Sequence, residues 1–248
     1  MTTSSHAAEV APNDPDILTH NVTFEGKTGP VAGYLARPVK AGRYPGMLVI
    51  HENRGLVDYT RDVARRFAKE GYVALAPDFL SRHGGTTKVN PKGEGLSNIR
   101  ELAPEKTVVE DAEAGIAYLR TLPDVRRDRI GVVGFCWGGG MAFITATQAR
   151  NLRAVVIYYG ETPDPLDLVK NIQAPVLANY GEKDQRIGKG IPATEAAMKK
   201  YNKVYDYKIY PGAQHAFDND TWPERYNAQA SKEAWERTME FLKKNLKS

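Results

Sequence analysis

The stretch Ile130-Gly131-Val132-Val133-Gly134-Phe135-Cys136-Trp137-Gly138-Gly139-Gly140 decides the fold of this chain. Its apolar first half predicts a buried strand, and segment 141–149 predicts a helix. The only cysteine of the sequence, Cys136, stands at the turn between them in the pattern Gly-x-Cys-x-Gly. Glycine neighbours let a strand and a helix pass close together around a residue on a strained turn. The pattern therefore predicts a nucleophile at a sharp strand-to-helix turn.

Cys136 has two other interpretations. A lone cysteine is most often a small buried hydrophobic residue, and glycine-rich turns also bind dinucleotides. The order Gly134-x-Cys136-x-Gly138 lacks the G-x-G-x-x-G arrangement, and it lies in the middle of the chain. At a helix N-terminus the dipole favours a thiolate, and the Trp137 N–H is free to hold an oxyanion. These features favour catalysis over both alternatives.

The composition excludes several other classes of protein. The 248 residues match one large α/β domain, and the net charge of +4 comes from scattered basic residues, which argues against a nucleic-acid partner. No apolar run is long enough to span a membrane. Segment 1–16 lacks the apolar core of a signal peptide. These observations leave a cytoplasmic protein, or an exported one whose signal is absent from this sequence.

Strand and helix patterns alternate along the chain after a loose tail predicted for residues 1–15. The expected strands are 17–24, 31–36, 47–50, 72–76, 130–133, 153–158, 175–180 and 204–210, and the expected helices are 59–70, 104–122, 141–149, 163–170, 192–201 and 224–246. The first two strands read as an antiparallel hairpin. The alternation predicts one α/β domain over residues 16–248, a mostly parallel sheet with helices on both faces. Loop 79–96 resembles a lid or binding loop.

Three chemically reactive side chains each follow a predicted parallel strand. Cys136, Asp184 and His215 occur in the order nucleophile, acid, histidine. Because parallel strands bring their carboxyl ends to one edge, we expect the three to meet there. His215 would take the thiol proton and Asp184 would fix its tautomer, giving a thiolate–imidazolium pair near neutral pH. The alternatives are a solvated surface histidine, a mere turn aspartate, or Glu182 as the acid.

With these residues, the chain resembles the dienelactone hydrolase (carboxymethylenebutenolidase) family of the α/β-hydrolase superfamily. The matching pieces are segments 134–139, 181–184, 211–217 and 51–55, and the similarity extends from about Thr23 to the C-terminus. The resemblance implies the α/β-hydrolase fold and an enzyme that needs neither metal nor cofactor. It also implies the triad Cys136, His215 and Asp184.

The resemblance assigns three further residues to the site. Glu52 matches a glutamate beside the nucleophile that takes part in activating the thiol. The alternative is that Glu52 is an ordinary charged residue at the end of a strand. Asn53 and Trp137 match the positions whose backbone N–H groups form the oxyanion hole.

The substrate pocket departs from the family pattern. Two family arginines hold a substrate carboxylate; one matches Arg82, and the other position, four residues after His215, is Asn219. Asparagine does not replace a bidentate arginine contact, so the carboxylate clamp is altered and the resemblance does not establish dienelactone itself as the substrate. A preference for neutral acyl groups would fit the lost arginine. Four residues could line an altered pocket, although each is at least as likely to be a surface or packing residue: Arg54, Tyr59, Lys88 and Trp222.

The sequence thus predicts a hydrolase of a small-molecule carboxylic ester or lactone that works through an acyl-enzyme on Cys136. One alternative is a ligand-binding protein of the same fold without catalysis. Another is an acyl transferase or peptidase that uses the same triad. We expect no nucleic-acid or membrane partner, and a monomer or a homodimer.

Overall fold

The computed structural model describes residues 10–248, and in this range eight strands form one sheet in the order β1-β2-β4-β3-β5-β6-β7-β8. The strands are Ile17–Gly26 (β1), Gly29–Pro38 (β2), Tyr44–Ile50 (β3), Val73–Pro77 (β4), Val125–Phe135 (β5), Ala154–Tyr158 (β6), Val176–Gly181 (β7) and Tyr205–Tyr210 (β8). The helices are Asp58–Lys69 (α1), Thr86–Val89 (α2), Ile99–Leu102 (α3), Glu105–Thr121 (α4), Trp137–Gln148 (α5), Gln185–Gly188 (α6), Ile191–Lys200 (α7) and Ala228–Leu242 (α8). Short 3₁₀ turns cover Ser81–His83 and Leu166–Asn171, and a π-helical turn covers Lys243–Lys247.

The sheet confirms the predicted fold class. β1 and β2 form an antiparallel hairpin, and β2 pairs antiparallel with β4. Every other pairing in the sheet is parallel. The carboxyl ends of the parallel strands β3, β5, β7 and β8 therefore lie along one edge, which is where ligands bind in sheets of this kind.

Helices cover both faces of the sheet, as the continuous apolar strands predict. Along β3, Leu48 and Ile50 join the core beneath α4 and α5, whereas Met47 and Val49 join the core beneath α1 and α8. All four side chains are completely buried. A strand with both faces covered cannot shift its register by one residue without exchanging two sets of core contacts, so the residues that follow it are held in a fixed position.

The structure changes several predicted boundaries. The tail predicted for residues 1–15 is too long, because Val10 is buried and its N–H donates to Asp62 at 2.7 Å; residues 1–9 of that prediction lie outside the described residues. Loop 79–96 contains α2 and a 3₁₀ turn. The last helix starts at Ala228, not at residue 224, since the Asn227 side chain caps it by accepting from the Ala230 N–H.

Within residues 10–248, no helix has both the length and the apolar character needed to cross a bilayer.

Candidate active site

The turn after β5 places Cys136 in an unusual backbone conformation. Its φ of 55° and ψ of −121° lie in a region that residues with a side chain rarely adopt. The turn depends on close backbone contacts: a Cβ on Gly138 would stand 2.3 Å from the His51 carbonyl oxygen. The strained turn and the close approach together present the sulfur at the sheet edge, as the glycine pattern predicted.

The structure brings Cys136, His215 and Asp184 into contact. The Cys136 Sγ lies 3.0 Å from His215 Nε2, and His215 Nδ1 lies 2.5 Å from Asp184 Oδ2. An aspartate that accepts from Nδ1–H leaves Nε2 free to accept the thiol proton. Glu182, the alternative acid, is exposed and accepts instead from the Gly212 N–H at 2.8 Å. The geometry is that of a nucleophile, a base and an orienting carboxylate.

The surroundings of the thiol oppose its ionisation in this arrangement. Burial, and after it the negative charge of Glu52, raise the pKa of Cys136 to about 12. The Trp137 N–H, the Arg186 charge and the Asn53 N–H act the other way, lowering that pKa by smaller amounts. The sequence expectation of a thiolate near neutral pH is therefore not met here, because desolvation outweighs the helix N-terminus. The sulfur is a thiol that needs a proton acceptor when it reacts.

Glu52 is a buried carboxyl group whose charge is adjustable near neutral pH. Burial raises its pKa to about 7, although a hydrogen bond from Asn219 opposes that rise. Asn219 Nδ2 donates to Glu52 Oε2 at 2.6 Å, while Asn219 Oδ1 accepts from the Thr221 backbone N–H and hydroxyl. Among the described residues, Glu52 Oε1 is buried and has no hydrogen-bond partner. Asn219 thus positions Glu52, a role that the sequence did not suggest.

Two backbone N–H groups act on the sulfur. The N–H groups of Asn53 and Trp137 each lower the pKa of Cys136 and so favour its anionic form. Their role as an oxyanion hole stays a prediction. His51 holds the segment that carries the Asn53 N–H. Its Nδ1–H donates to the Glu52 carbonyl at 2.6 Å, its Nε2 accepts from the Phe79 N–H at 3.3 Å, and its ring stacks on Trp137.

The residues predicted to bind substrate do not line the cavity beside Cys136. Arg82 forms a bidentate ion pair with the buried Asp111. Tyr59 is buried and its hydroxyl donates to Asp218 at 2.7 Å. In both cases a buried carboxylate binds the side chain, because such a charge must be paired. The structure therefore places Arg82 and Tyr59 away from Cys136, and a role for them in binding substrate stays a prediction.

Arg54 and Trp222 line a different cavity of about 340 Å³. Arg54 donates to the Gly93 carbonyl and to Thr221, and Trp222 lies under the Arg225 guanidinium at 3.9 Å from its ring centroid. These partners hold the two side chains in the loops beside the site, so the structure does not bring them to the nucleophile.

The cavity at the nucleophile has a volume of about 200 Å³. Its lining is Asn53, Leu96, Ser97, Ile99, Arg100, Cys136, Trp137, Glu161 and Arg186. Sequence reasoning missed its three charged residues, Arg100, Glu161 and Arg186. Little in the sequence indicated these residues, because the three lie far apart along the chain. Glu161 and Arg186 follow predicted strands, and Arg100 comes shortly after loop 79–96.

The fold defines a protein of the α/β-hydrolase class, with Cys136 at a sharp strand-to-helix turn. The sequence matches the family described as "Dienelactone hydrolase family" over residues 31–246. The chain belongs to that family, which confirms both the predicted family and the predicted hydrolase class.

Individual relatives agree with this assignment. A "Putative carboxymethylenebutenolidase" from Synechocystis sp. is 34% identical, covering 94% of this chain and 99% of its own. A "Probable 2-oxo-3-(5-oxofuran-2-ylidene)propanoate lactonase" from Bradyrhizobium sp. is also 34% identical, covering 86% of this chain and 89% of its own. The crystal structure of a "Putative Dienelactone Hydrolase" from Klebsiella pneumoniae superposes with a TM-score of 0.83 at 26% identity, covering 91% and 98% of the two chains.

Proposed function

We propose that this protein hydrolyses small carboxylic esters or lactones through an acyl-enzyme on Cys136. The observation that carries the proposal is the continuous hydrogen-bonded series from Asp184 through His215 to the Cys136 sulfur. The backbone N–H groups of Asn53 and Trp137 favour the anionic form of the same sulfur. The relatives named as a carboxymethylenebutenolidase and a lactonase support a lactone as the substrate class. The cavity of about 200 Å³ suits a small acyl group.

The first half of the reaction forms a thioester. His215 Nε2 accepts the Cys136 proton as the sulfur attacks the substrate carbonyl carbon, and Asp184 stabilises the imidazolium that forms. The carbonyl electron pair moves onto its oxygen, which the Asn53 and Trp137 N–H groups hold. When that pair returns, the carbon–oxygen bond of the ester breaks. The leaving oxygen takes the proton from His215, leaving an acyl group on sulfur.

The second half releases the acid. His215 Nε2 takes a proton from a water molecule, whose oxygen attacks the thioester carbonyl. The tetrahedral intermediate collapses with cleavage of the carbon–sulfur bond, and the sulfur regains a proton from His215. A lactone gives one hydroxy acid, whereas an open ester gives an acid and an alcohol.

Glu52 controls the first proton transfer in this proposal. When Glu52 is ionised, its charge opposes the Cys136 thiolate, because two neighbouring negative charges repel in a buried site. When Glu52 is protonated, that opposition disappears. With a pKa of about 7, Glu52 changes state in the range where the enzyme would work.

The test is turnover of p-nitrophenyl acetate by the wild-type protein and by Cys136→Ala. We expect the variant to lose at least about 10³-fold in kcat/KM, since it removes the attacking atom. Iodoacetamide should inactivate the wild-type protein with one equivalent of label, because the chain has a single cysteine. Equal turnover by Cys136→Ala would reject the proposal. Tight binding of the ester without turnover by the wild type would favour the ligand-binding alternative.

A further inference from the structure

The mouth of the cavity beside Cys136 holds one carboxylate between two arginines. Arg100 Nη2 donates to Glu161 Oε2, and Arg186 Nη1 donates to Glu161 Oε1. All three side chains are solvent-accessible, with 61%, 57% and 44% of the Arg100, Arg186 and Glu161 side chains exposed. Two positive charges against one negative charge leave this cluster with a net charge of +1. Among the described residues that line the cavity, Glu161 alone carries a carboxylate, and both arginines hold it.

The elements that form the triad also position these charges. Arg186 lies in α6, two residues after Asp184, and Glu161 follows β6. The backbone at Gly160 packs directly on the start of α5, because a Cβ there would stand 2.3 Å from the Gly139 carbonyl carbon. Arg186 also lowers the pKa of Cys136 through its charge. The cluster therefore faces the same space as the reacting sulfur.

The contacts to Glu161 are of a kind that a ligand can exchange. Ion pairs exposed to solvent contribute about 0–1 kcal/mol, because water screens them and ordering the side chains costs entropy. Arginine presents a planar fork that matches a carboxylate. A substrate carboxylate could therefore take the place of the Glu161 carboxylate at little cost.

We propose that Arg100 and Arg186 form a carboxylate-binding subsite for the substrate, and that Glu161 is an internal carboxylate that competes for it. The proposal rests on the proposed hydrolase function and names residues that determine its specificity. It differs from the interpretation, based on Asn219, that the substrate carboxylate has lost half of its binding site. The subsite favours esters and lactones that carry a carboxylate close to the reacting carbonyl.

The first experiment compares a butenolide that carries a carboxymethylene group with the methyl ester of the same compound, following ring opening by absorbance. The pair differs in charge at one position while the lactone stays the same. In the double variant Arg100→Gln/Arg186→Gln, the ratio of kcat/KM for the carboxylate to kcat/KM for the methyl ester should fall about tenfold or more. The ratio for the wild type should also fall as salt is raised, since the charges are exposed.

The matched control is Lys170→Gln, which removes one exposed positive charge from a surface ion pair with Asp167. We expect this variant to keep the wild-type ratio. Thermal melting of each variant establishes that it is folded. An unchanged ratio in the double arginine variant, or an equal change in Lys170→Gln, would overturn the subsite.

The second experiment tests the competing carboxylate. Glu161→Gln removes its charge, so the KM for the carboxylate substrate should fall by up to about fivefold while the methyl ester gains less. An unchanged or higher KM would overturn the role of Glu161. Failure of these predictions is distinct from failure of the proposed function, which would appear as turnover of p-nitrophenyl acetate that does not depend on Cys136.

Discussion

Replacing Glu52 by glutamine should make the Cys136 thiol easier to ionise. The change removes a buried negative charge that raises the thiol pKa, and it leaves an oxygen that can accept from Asn219. For two like charges at the upper end of the range over which charges shift a pKa, about 6 Å, the repulsion at an effective dielectric constant of about 20 is about 3 kcal/mol. That energy corresponds to about 2 pKa units. We expect the pKa of Cys136 to fall by about 1–2 units, because burial, the larger cause of its raised value, remains in the variant.

The pH dependence of the effect follows from the pKa of Glu52, which is about 7. Below that pH the wild-type carboxyl is protonated and uncharged, so wild type and Glu52→Gln should behave alike. Above it the wild-type carboxylate is charged, and the variant should form thiolate at lower pH. The two proteins should therefore diverge as the pH rises through about 7.

The rate of alkylation by iodoacetamide, followed by mass spectrometry between about pH 5 and pH 10, measures how the Cys136 thiolate forms as the pH rises. The chain has one cysteine, so every added label reports on Cys136. Glu182→Gln is the control, because it removes an exposed carboxylate after β7 and should leave the profile unchanged. Slower alkylation of Glu52→Gln than of wild type at pH 8 would refute the reasoning and would make Glu52 the proton acceptor.

Three further predictions concern single side chains. Gly138→Ala should lower the free energy of unfolding in urea by about 3 kcal/mol or more, since its Cβ would meet carbonyl oxygens at 2.3 and 2.5 Å. Gly188→Ala is the control and should leave the stability unchanged, because a Cβ there would have nothing within 4 Å. Asp184→Asn should lower kcat/KM by about 10³-fold or more through the wrong histidine tautomer, whereas an unchanged rate would exclude its orienting role. Tyr59→Phe should cost about 1.5–3 kcal/mol of stability by losing the bond to Asp218, and a change in KM alone would show that Tyr59 binds substrate.

The sequence was sufficient for the architecture and for the convergence of the triad residues. Apolar strands covered on both faces leave a strong pattern, and their carboxyl ends must share one edge when they are parallel. Cys136, Asp184 and His215 each follow the carboxyl end of such a strand, so predicting the strands was enough to predict that the three residues lie close together. The glycines around Cys136 carried the turn geometry in the same way.

The substrate side of the site was not readable from the sequence. The sequence suggested that Arg82 could bind a substrate carboxylate, but it did not show that the buried Asp111 pairs with this arginine. Arg100 in α3, Glu161 after β6 and Arg186 in α6 meet only when the chain folds, and no spacing in the chain marks them as neighbours. The raised pKa of Cys136 was likewise hidden, because desolvation depends on what surrounds the sulfur in space.

The most direct test of the account is to find the acyl group during turnover. A rapid acid quench of the protein mixed with p-nitrophenyl acetate, followed by peptide mass spectrometry, locates any covalent intermediate. We predict an acetyl group as a thioester on Cys136. Release of p-nitrophenol with Cys136 unmodified, or with the acetyl group on another residue, would contradict the account.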